Sequence, residues 1–158
     1  MILKEIKRDT LSFHLARWRF EEKKIVFTNG VFDILHRGHI EYLAKAKEQG
    51  DILILGLNTD ASVKRLKGDL RPVNDEKTRI IMLSALSFVD YIILFEEDTP
   101  LELIRQIRPA VLVKGNDYQK EEIVGYSLLQ EYGGEVITIP LTEGYSTTKF
   151  IQKIQNLG

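Results

Sequence analysis

From Lys24 onward, short apolar runs rich in β-branched residues alternate with longer amphipathic stretches. Such an alternation is typical of parallel strands joined by crossover helices. The predicted strands are residues 25–28, 52–58, 91–95, 111–114 and 136–139. Because most of these runs are almost continuously apolar, both faces of each strand should be covered by helices. The pattern therefore predicts a single three-layer α/β/α domain with a five-stranded parallel sheet.

Helix signals fill the intervals between these strands. Apolar residues follow a helical spacing over residues 40–47, which ends before Gly50, and glycine is common just past a helix. Comparable start or stop signals occur at Asp75, at Thr99-Pro100 and at Tyr132-Gly133-Gly134. Residues 60–74 instead contain many turn-compatible and basic residues. This composition predicts a basic loop, and its position at the sheet edge where a ligand is expected favours phosphate binding by the loop.

Composition narrows the class of protein. A chain of 158 residues with 44% hydrophobic residues has the size of one compact domain. Lys and Arg number 22 against 23 Asp and Glu, so no excess of positive charge favours a nucleic-acid partner. The absence of cysteine excludes disulfides, thiolate metal sites and a cysteine nucleophile.

The first 23 residues differ from the rest of the chain. Their apolar residues, among them Leu11, Leu15 and Trp18, are interrupted by charges, so they lack the apolar core of a signal peptide. No run approaches the roughly 18 apolar residues of a membrane span, and we expect a cytoplasmic protein with no membrane partner. We predict an N-terminal helical appendage at residues 1–23, packed on the sheet or on another subunit, and a functional domain at residues 24–158. A homodimer is the expected assembly.

The first strand leads into the most informative segment. In open parallel sheets, ligands bind at the carboxyl ends of strands, where backbone amides point outward. Residues 25–30 form such a strand end, and His36 and His39 follow it three residues apart, with Gly38 between them. On a helix the two imidazoles share one face near the N-terminus, where the helix dipole favours an anion. The spacing predicts a polyphosphate site.

The two histidines have two other possible interpretations, as surface residues or as zinc ligands. A lone histidine is more often an ordinary surface residue, and His14 keeps that interpretation. The chain has only three histidines, however, and two of them lie at the turn where the fold predicts a ligand. A zinc site would need a third ligand, and nothing else in the sequence suggests one.

Polar clusters follow several other strands. Lys64, Lys67 and Arg71 come after the second strand, Arg79 lies in the next helix, and polar residues occupy 114–118 after the fourth strand. Each cluster also has a structural explanation, as a solvated face or a helix cap. The hydroxyl residues Ser146, Thr147 and Thr148 precede the last helix, where they can cap it or bind phosphate.

Two segments together suggest a family. Gly30-Val31-Phe32-Asp33-Ile34-Leu35-His36-Arg37-Gly38-His39 resembles the signature of the cytidylyltransferase-like superfamily, whose motif is His-x-Gly-His. The Ser146-Thr147-Thr148 run resembles the second signature of that superfamily, at the start of its C-terminal helix. The resemblance covers residues 24–155. It implies a Rossmann-like α/β/α domain with nucleotidyltransferase activity.

The resemblance also implies roles for individual residues. His36, His39 and Lys67 would be catalytic, with the histidines on the triphosphate and Lys67 at the α-phosphate. The acceptor phosphate would contact Asp33, Lys64 and Arg71. Nucleotide contacts are expected at Thr28, Asn29, Gly30, Phe32, Gly38, Arg79, Lys114, Gly115, Asp117, Glu143, Ser146, Thr147 and Thr148. Mg²⁺ would be held mainly through the nucleotide phosphates, without a dedicated protein metal site.

Within the superfamily, the chain is most similar to the adenylyltransferase half of heptose-phosphate kinase/adenylyltransferases. The similarity is carried by Leu66-Lys67-Gly68, Arg71-Pro72-Val73-Asn74 and Leu112-Val113-Lys114-Gly115, whereas Val31 and Asn116 depart from the usual cysteine and glycine. It implies transfer of AMP from ATP to D-glycero-D-manno-heptose 1-phosphate, giving ADP-heptose and pyrophosphate for lipopolysaccharide core synthesis. Since the chain has no room for a kinase, a separate heptose kinase would supply the sugar 1-phosphate.

Other functions remain open from the sequence. The nearest alternative is a cytidylyltransferase for glycerol 3-phosphate or a similar phosphorylated alcohol, although Leu141 stands where those enzymes have arginine. A flavin-forming adenylyltransferase comes third. From a different class, the domain could be a non-catalytic nucleotide-binding regulator.

Overall fold

The computed structural model describes residues 3–115 and 119–157. Within them the strands are β1 (Ile25–Gly30), β2 (Ile52–Asn58), β3 (Tyr91–Phe95), β4 (Val111–Gly115) and β5 (Glu135–Ile139). The helices are α1 (Leu11–Phe20), α2 (Arg37–Lys47), α3 (Asp60–Lys67), α4 (Glu76–Ser84), α5 (Leu101–Ile107), α6 (Tyr126–Glu131) and α7 (Thr147–Gln155), with a 3₁₀ turn at Lys120–Glu122.

The five strands form one parallel sheet in the order β3-β2-β1-β4-β5, which confirms the predicted architecture. From β1 the chain moves outward to β2 and β3, and it then crosses back to place β4 on the other side of β1. The strand order therefore reverses between β1 and β4. In open α/β sheets, this reversal opens a crevice at the carboxyl ends of the two strands, where ligands bind.

The sheet separates two apolar cores, and alternate residues of β1 point into each. Ile25 and Phe27 belong to one core, whereas Val26 belongs to the other. The first core is completed by α1, α5 and α6, and the second by α2 and α4. Burial on both faces explains why the strands are almost continuously apolar in sequence.

The described part of residues 1–23 packs against the sheet. Leu11, Leu15 and Trp18 of α1 are buried in the first core. Ahead of α1, the Ile6 amide donates to the Ile92 carbonyl at 2.8 Å, and the Ile92 amide donates to the Lys4 carbonyl at 2.9 Å. These bonds cover the outer edge of β3, which would otherwise present unpaired backbone groups.

The predicted basic loop at residues 60–74 is wrong over its first half, because Asp60–Lys67 form helix α3. The Thr59 side chain caps this helix by accepting from the Ser62 amide, and Val63 is fully buried beneath it. The basic residues that suggested a solvated loop lie in the last turn of α3, where cations stabilise a helix dipole. Tertiary burial and capping thus override the weak local pattern.

None of the helices in residues 3–115 and 119–157 combines the length and apolar composition that a bilayer crossing requires.

Candidate active site

A cavity of about 490 Å³ opens at the carboxyl ends of β1 and β4, at the point where the strand order reverses. Its walls come from β1, the N-terminal half of α2, the end of α3, the end of β4 and the segment that leads into α7. The lining residues are Asn29, Gly30, Val31, Phe32, His36, Gly38, His39, Tyr42, Lys67, Lys114, Gly115, Leu141, Thr142, Tyr145, Ser146 and Thr147.

His36 and His39 lie together at the start of α2. Their rings stack with centroids 3.7 Å apart and an interplanar angle of 17°. His36 is the N-cap residue of the helix, and its Nδ1 accepts from the His39 amide at a long 3.4 Å. Because Nδ1 acts as an acceptor, the proton of a neutral His36 ring lies on Nε2, which can donate to a ligand.

The electrostatic environment keeps both rings neutral near pH 7. Burial lowers the pKa of His39 to about 4, and the neighbouring His36 adds to this effect, while the Ile34 backbone opposes it. Burial also lowers the pKa of His36. Nδ1 of His39 is buried without a well-aligned hydrogen-bond partner among the described residues, so a ligand contact falls to Nε2. Both rings therefore line the cavity in neutral form rather than with a full positive charge, and Nε2 of His36 offers it a hydrogen-bond donor.

Close packing shapes the loop between β1 and α2. Phe32 adopts a left-handed backbone conformation (φ 47°) that is uncommon for a bulky residue, and its ring lies 5.1 Å from His39 in an edge-to-face arrangement. A Cβ at Gly30 would come within 2.7 Å of the Phe32 ring, and one at Gly38 within 3.2 Å of the His36 ring. Glycine at these two positions lets the aromatic and imidazole rings pack against the cavity.

The ends of β1 and β4 are joined across the cavity. Lys114 Nζ donates to the Asn29 side-chain oxygen, and both residues line the cavity. Thr28 is fully buried, and its hydroxyl bonds to the Tyr42 hydroxyl at 2.8 Å. The Tyr42 hydroxyl donates in turn to the Val113 carbonyl at 3.1 Å. Thr28 thus lies beneath the cavity wall and positions Tyr42, which is part of that wall.

The segment before α7 forms the outer wall. Ser146 caps α7 by accepting from the Lys149 amide at 3.1 Å, and together with Thr147 it also lines the cavity. Thr142 donates to the Glu41 carboxylate at 2.6 Å, which ties this segment to α2. Glu143 and Thr148 are exposed and are not among the lining residues.

Asp33 is directed into the protein rather than into the cavity. Its carboxylate, 1% exposed, accepts from Arg71 Nε at 2.6 Å and from the Val73 and Asn74 amides at 2.8 Å. Burial alone would raise the pKa of Asp33, but these amides and the guanidinium hold the pKa below its ordinary value. Asp33 and Arg71 therefore bind each other in this structure and fasten the segment after α3. Lys64 is exposed on α3 and does not line the cavity.

Arg79 is fully buried in α4. Its guanidinium donates to the Val31 and Asn58 carbonyls at 2.8 Å and the Asn74 carbonyl at 3.1 Å, and it pairs with Asp60 at 2.7 Å. These bonds hold the loop after β1 and the segment before α4 in place. The structure thus gives Arg79 a positioning role behind the cavity, rather than the nucleotide contact expected from sequence.

The cavity brings together eleven of the sequence-predicted residues from four separate segments. Those lining it are Asn29, Gly30, Phe32, His36, Gly38, His39, Lys67, Lys114, Gly115, Ser146 and Thr147, the last five from three segments distant in sequence from α2. Asp117 lies outside the described residues. Lining residues absent from the sequence prediction are Val31, Tyr42, Leu141, Thr142 and Tyr145. Of these, Tyr42 could have been found from its spacing three residues after His39.

The described residues that line the cavity offer few ligands to a metal ion, so a bound nucleotide would have to supply most of them. The lining offers hydroxyl and amide oxygens but no carboxylate, and no group of three or more His, Asp or Glu able to hold an ion occurs in the described part of the chain. Mg²⁺ prefers oxygen ligands and retains water, so the predicted Mg²⁺ would depend on nucleotide phosphates for its main contacts.

Comparison with known proteins places this geometry in a family. A family model described as Cytidylyltransferase-like matches residues 27–153. Bifunctional protein HldE of Wolinella succinogenes is 53% identical over 150 residues, which cover 95% of this chain and 31% of that protein. Bifunctional protein HldE of Geobacter metallireducens is 57% identical over 132 residues, covering 84% of this chain and 27% of that protein. The chain thus spans less than a third of the length of these curated relatives.

A solved structure shows the same relationship. The crystal structure of the lipopolysaccharide core biosynthesis protein from Thermoplasma volcanium GSS1 aligns with a TM-score of 0.63 and 32% sequence identity, covering 78% of this chain and 99% of that one. The family match extends from β1 to α7 and includes the histidine pair and the Ser-Thr-Thr segment. This chain therefore belongs to the cytidylyltransferase-like family.

Proposed function

We propose that this chain is a nucleotidyltransferase that transfers AMP from ATP to D-glycero-D-manno-heptose 1-phosphate, releasing pyrophosphate and forming ADP-heptose. The observation that carries the proposal is the stacked His36–His39 pair beside Lys67 and Lys114 in one cavity. Two imidazole rings and two ammonium groups suit a triphosphate, whose charge is spread over many oxygens.

The proposed reaction needs few groups from the protein. An oxygen of the sugar phosphate forms a bond to the α-phosphorus of ATP, the bond from that phosphorus to the bridging oxygen breaks, and pyrophosphate leaves with the electron pair. Because the acceptor phosphate is already ionised, no protein base is required. His36 and His39 would donate to the leaving pyrophosphate, and Lys67 would neutralise charge at the α-phosphate. Ser146 and Thr147 would contact the nucleotide from the start of α7.

Support for the acceptor comes from relatives. The matched structure is described as a lipopolysaccharide core biosynthesis protein, and the curated relatives carry the name bifunctional protein HldE. A heptose 1-phosphate acceptor agrees with both, and the word "bifunctional" agrees with a kinase that supplies it. We extend the proposal to a cytoplasmic location and to a kinase that forms the sugar 1-phosphate.

The test is a pyrophosphate-release assay with each nucleoside triphosphate against a panel of phosphorylated acceptors. ATP with heptose 1-phosphate should give the highest kcat/KM. Turnover with CTP and glycerol 3-phosphate, but not with ATP, would instead identify a cytidylyltransferase. Nucleotide binding without pyrophosphate release across the whole panel would identify a non-catalytic regulator.

His39→Ala links the assay to the histidine pair. Because one donor to the reacting phosphates is lost, kcat should fall by about 100-fold or more while the circular dichroism spectrum is unchanged. His14→Ala makes the same change in α1, outside the cavity, and should keep kcat within about twofold of wild type. A folded His39→Ala protein with near-normal kcat would remove the histidines from the mechanism.

A further inference from the structure

A second cavity, of about 300 Å³, lies at the amino-terminal edge of the sheet, where β1, β4 and β5 begin. It is lined by three cationic side chains, Arg19, Lys23 and Arg108, and by Tyr132 and the Gly133-Gly134 turn before β5. No acidic residue is among its lining residues in the described chain. β1 separates this basic pocket from the candidate active site by roughly 16 Å, at about 3.3 Å per residue.

The arginines of the basic pocket differ from all others in the described chain. Of the nine arginines in the sequence, seven form an ion pair with a carboxylate, namely Arg8, Arg17, Arg37, Arg65, Arg71, Arg79 and Arg105. The remaining two are Arg19 and Arg108, which come from α1 and the end of α5 and meet in this pocket. Within residues 3–115 and 119–157, the only two arginines that have no carboxylate partner therefore lie in the same pocket.

Both guanidinium groups are held in position. One terminal nitrogen of Arg19 donates to the Ile107 carbonyl at 2.9 Å. Arg108 stacks 4.5 Å above the Tyr132 ring, and the Tyr132 hydroxyl is itself fixed by donating to the Pro109 carbonyl at 3.0 Å. A guanidinium that is held by stacking keeps its N–H groups available to a ligand.

The backbone of Arg108 adds an independent observation. Arg108 follows α5 in a left-handed conformation (φ 46°, ψ 61°), at a helix end where glycine is the usual residue. A non-glycine residue in this conformation carries backbone strain, and such strain is common at ligand sites. The pocket thus retains an arginine at a position where local backbone preference favours glycine.

Helix capping is the competing explanation for these cations. Three helices, α1, α5 and α6, end near the pocket, and each helix C-terminus carries roughly half a negative charge. Three full positive charges exceed this by about 1.5 charges, so capping alone leaves the pocket positive. Only one of the five N–H groups of Arg19 donates to a helix carbonyl.

We propose that the basic pocket binds a small phosphate-bearing anion at a site separate from the candidate active site. The planar fork of an arginine matches two phosphate oxygens at once, and two arginines with a lysine can neutralise a dianion. The cavity volume suits a phosphorylated small molecule rather than an extended polymer. The proposal does not depend on the reaction catalysed at the opposite edge.

The test follows backbone amide resonances by two-dimensional NMR while inorganic phosphate or pyrophosphate is added at constant ionic strength. Gly133 and Gly134 report on the basic pocket, and Gly30 and Gly38 report on the candidate active site. Saturable shifts of the first pair are expected with both probes, whereas an equivalent amount of chloride should leave them unchanged. Shifts that chloride reproduces would reflect screening alone and would overturn the proposal.

Variants connect the binding to the cations. Arg19→Gln/Arg108→Gln should weaken phosphate binding at Gly133 and Gly134 at least tenfold. Arg105→Gln, on the same helix as the capped end but paired with Glu102, should leave it unchanged. Should the double variant fold poorly, Lys23→Gln provides a second test, because Lys23 is exposed, and binding should weaken about threefold. Undiminished binding in these variants, or saturable binding of an acidic peptide without any of phosphate, would overturn the proposal.

Discussion

The low pKa of His39 predicts that the protein loses stability in mild acid, and the loss can be calculated. In the unfolded chain the imidazole has its ordinary pKa of 6.5, whereas burial in the folded protein lowers the pKa to about 4. Between these values the unfolded state binds more protons than the folded state, so the free energy of unfolding falls as pH falls. Linkage gives a loss of about 2 kcal/mol between pH 7 and pH 5, approaching about 3 kcal/mol below pH 4.

His39→Gln tests this calculation, because glutamine keeps a polar side chain and cannot titrate in this range. Urea unfolding at pH 7, 6 and 5, at fixed ionic strength, yields the free energy of unfolding for the wild type and the variant. The difference between the two proteins should change by about 2 kcal/mol from pH 7 to pH 5. His14→Gln is the matched control, since it removes an imidazole from α1 and leaves the cavity pair intact.

If His39→Gln loses as much stability in acid as the wild type, the imidazole is not held neutral by burial. The lowered pKa of His39, and the acid sensitivity that follows from it, would then be wrong.

Further predictions concern the groups behind the cavity and the assembly. Asp33→Ala leaves the Arg71 guanidinium and two amides without their buried acceptor, so urea unfolding should show a loss of about 3 kcal/mol. A loss below about 1 kcal/mol would contradict this role of Asp33. Arg79→Met strips three carbonyls of their donor and should cost about 4 kcal/mol by the same measurement, with wild-type stability as the contrary outcome. Phe13 and Phe20 are 72% and 90% exposed, and the predicted homodimer would use this face of α1. The double variant Phe13→Ser/Phe20→Ser should therefore be a monomer in light scattering where the wild type is a dimer. Its free energy of unfolding should change by less than about 0.5 kcal/mol. A monomeric wild type would show that the homodimer prediction is wrong.

Much of the fold could be predicted because its signals are local. The strands appear in sequence as continuous apolar runs, and all five lie where expected, with β1 and β4 extending slightly farther toward the cavity. Helix α5 begins at Leu101, directly after the predicted Thr99-Pro100 start. The His-x-Gly-His spacing is also local, since a helix brings residues three apart onto one face. Both the sheet and the histidine pair therefore follow from short-range periodicity.

The groups that each charged side chain binds could not be predicted from the sequence. Asp33, Arg71 and Arg79 have the residue types of a phosphate site, and only the fold shows that their charges are satisfied by one another and by backbone groups. Helix α3 likewise forms where the local pattern suggested a loop, because Val63 is buried and Thr59 caps the helix.

Local sequence patterns are sufficient to predict the architecture, the edge of the sheet that carries the candidate active site, and the residues of α2 at its centre. The tertiary structure decided which charged side chains face the cavity, and it brought Arg19 and Arg108, distant in sequence, into a second basic pocket. The physical reason is that periodicity reports the burial of one segment, whereas the energy of a buried or partnered charge depends on groups that the fold supplies from elsewhere in the chain.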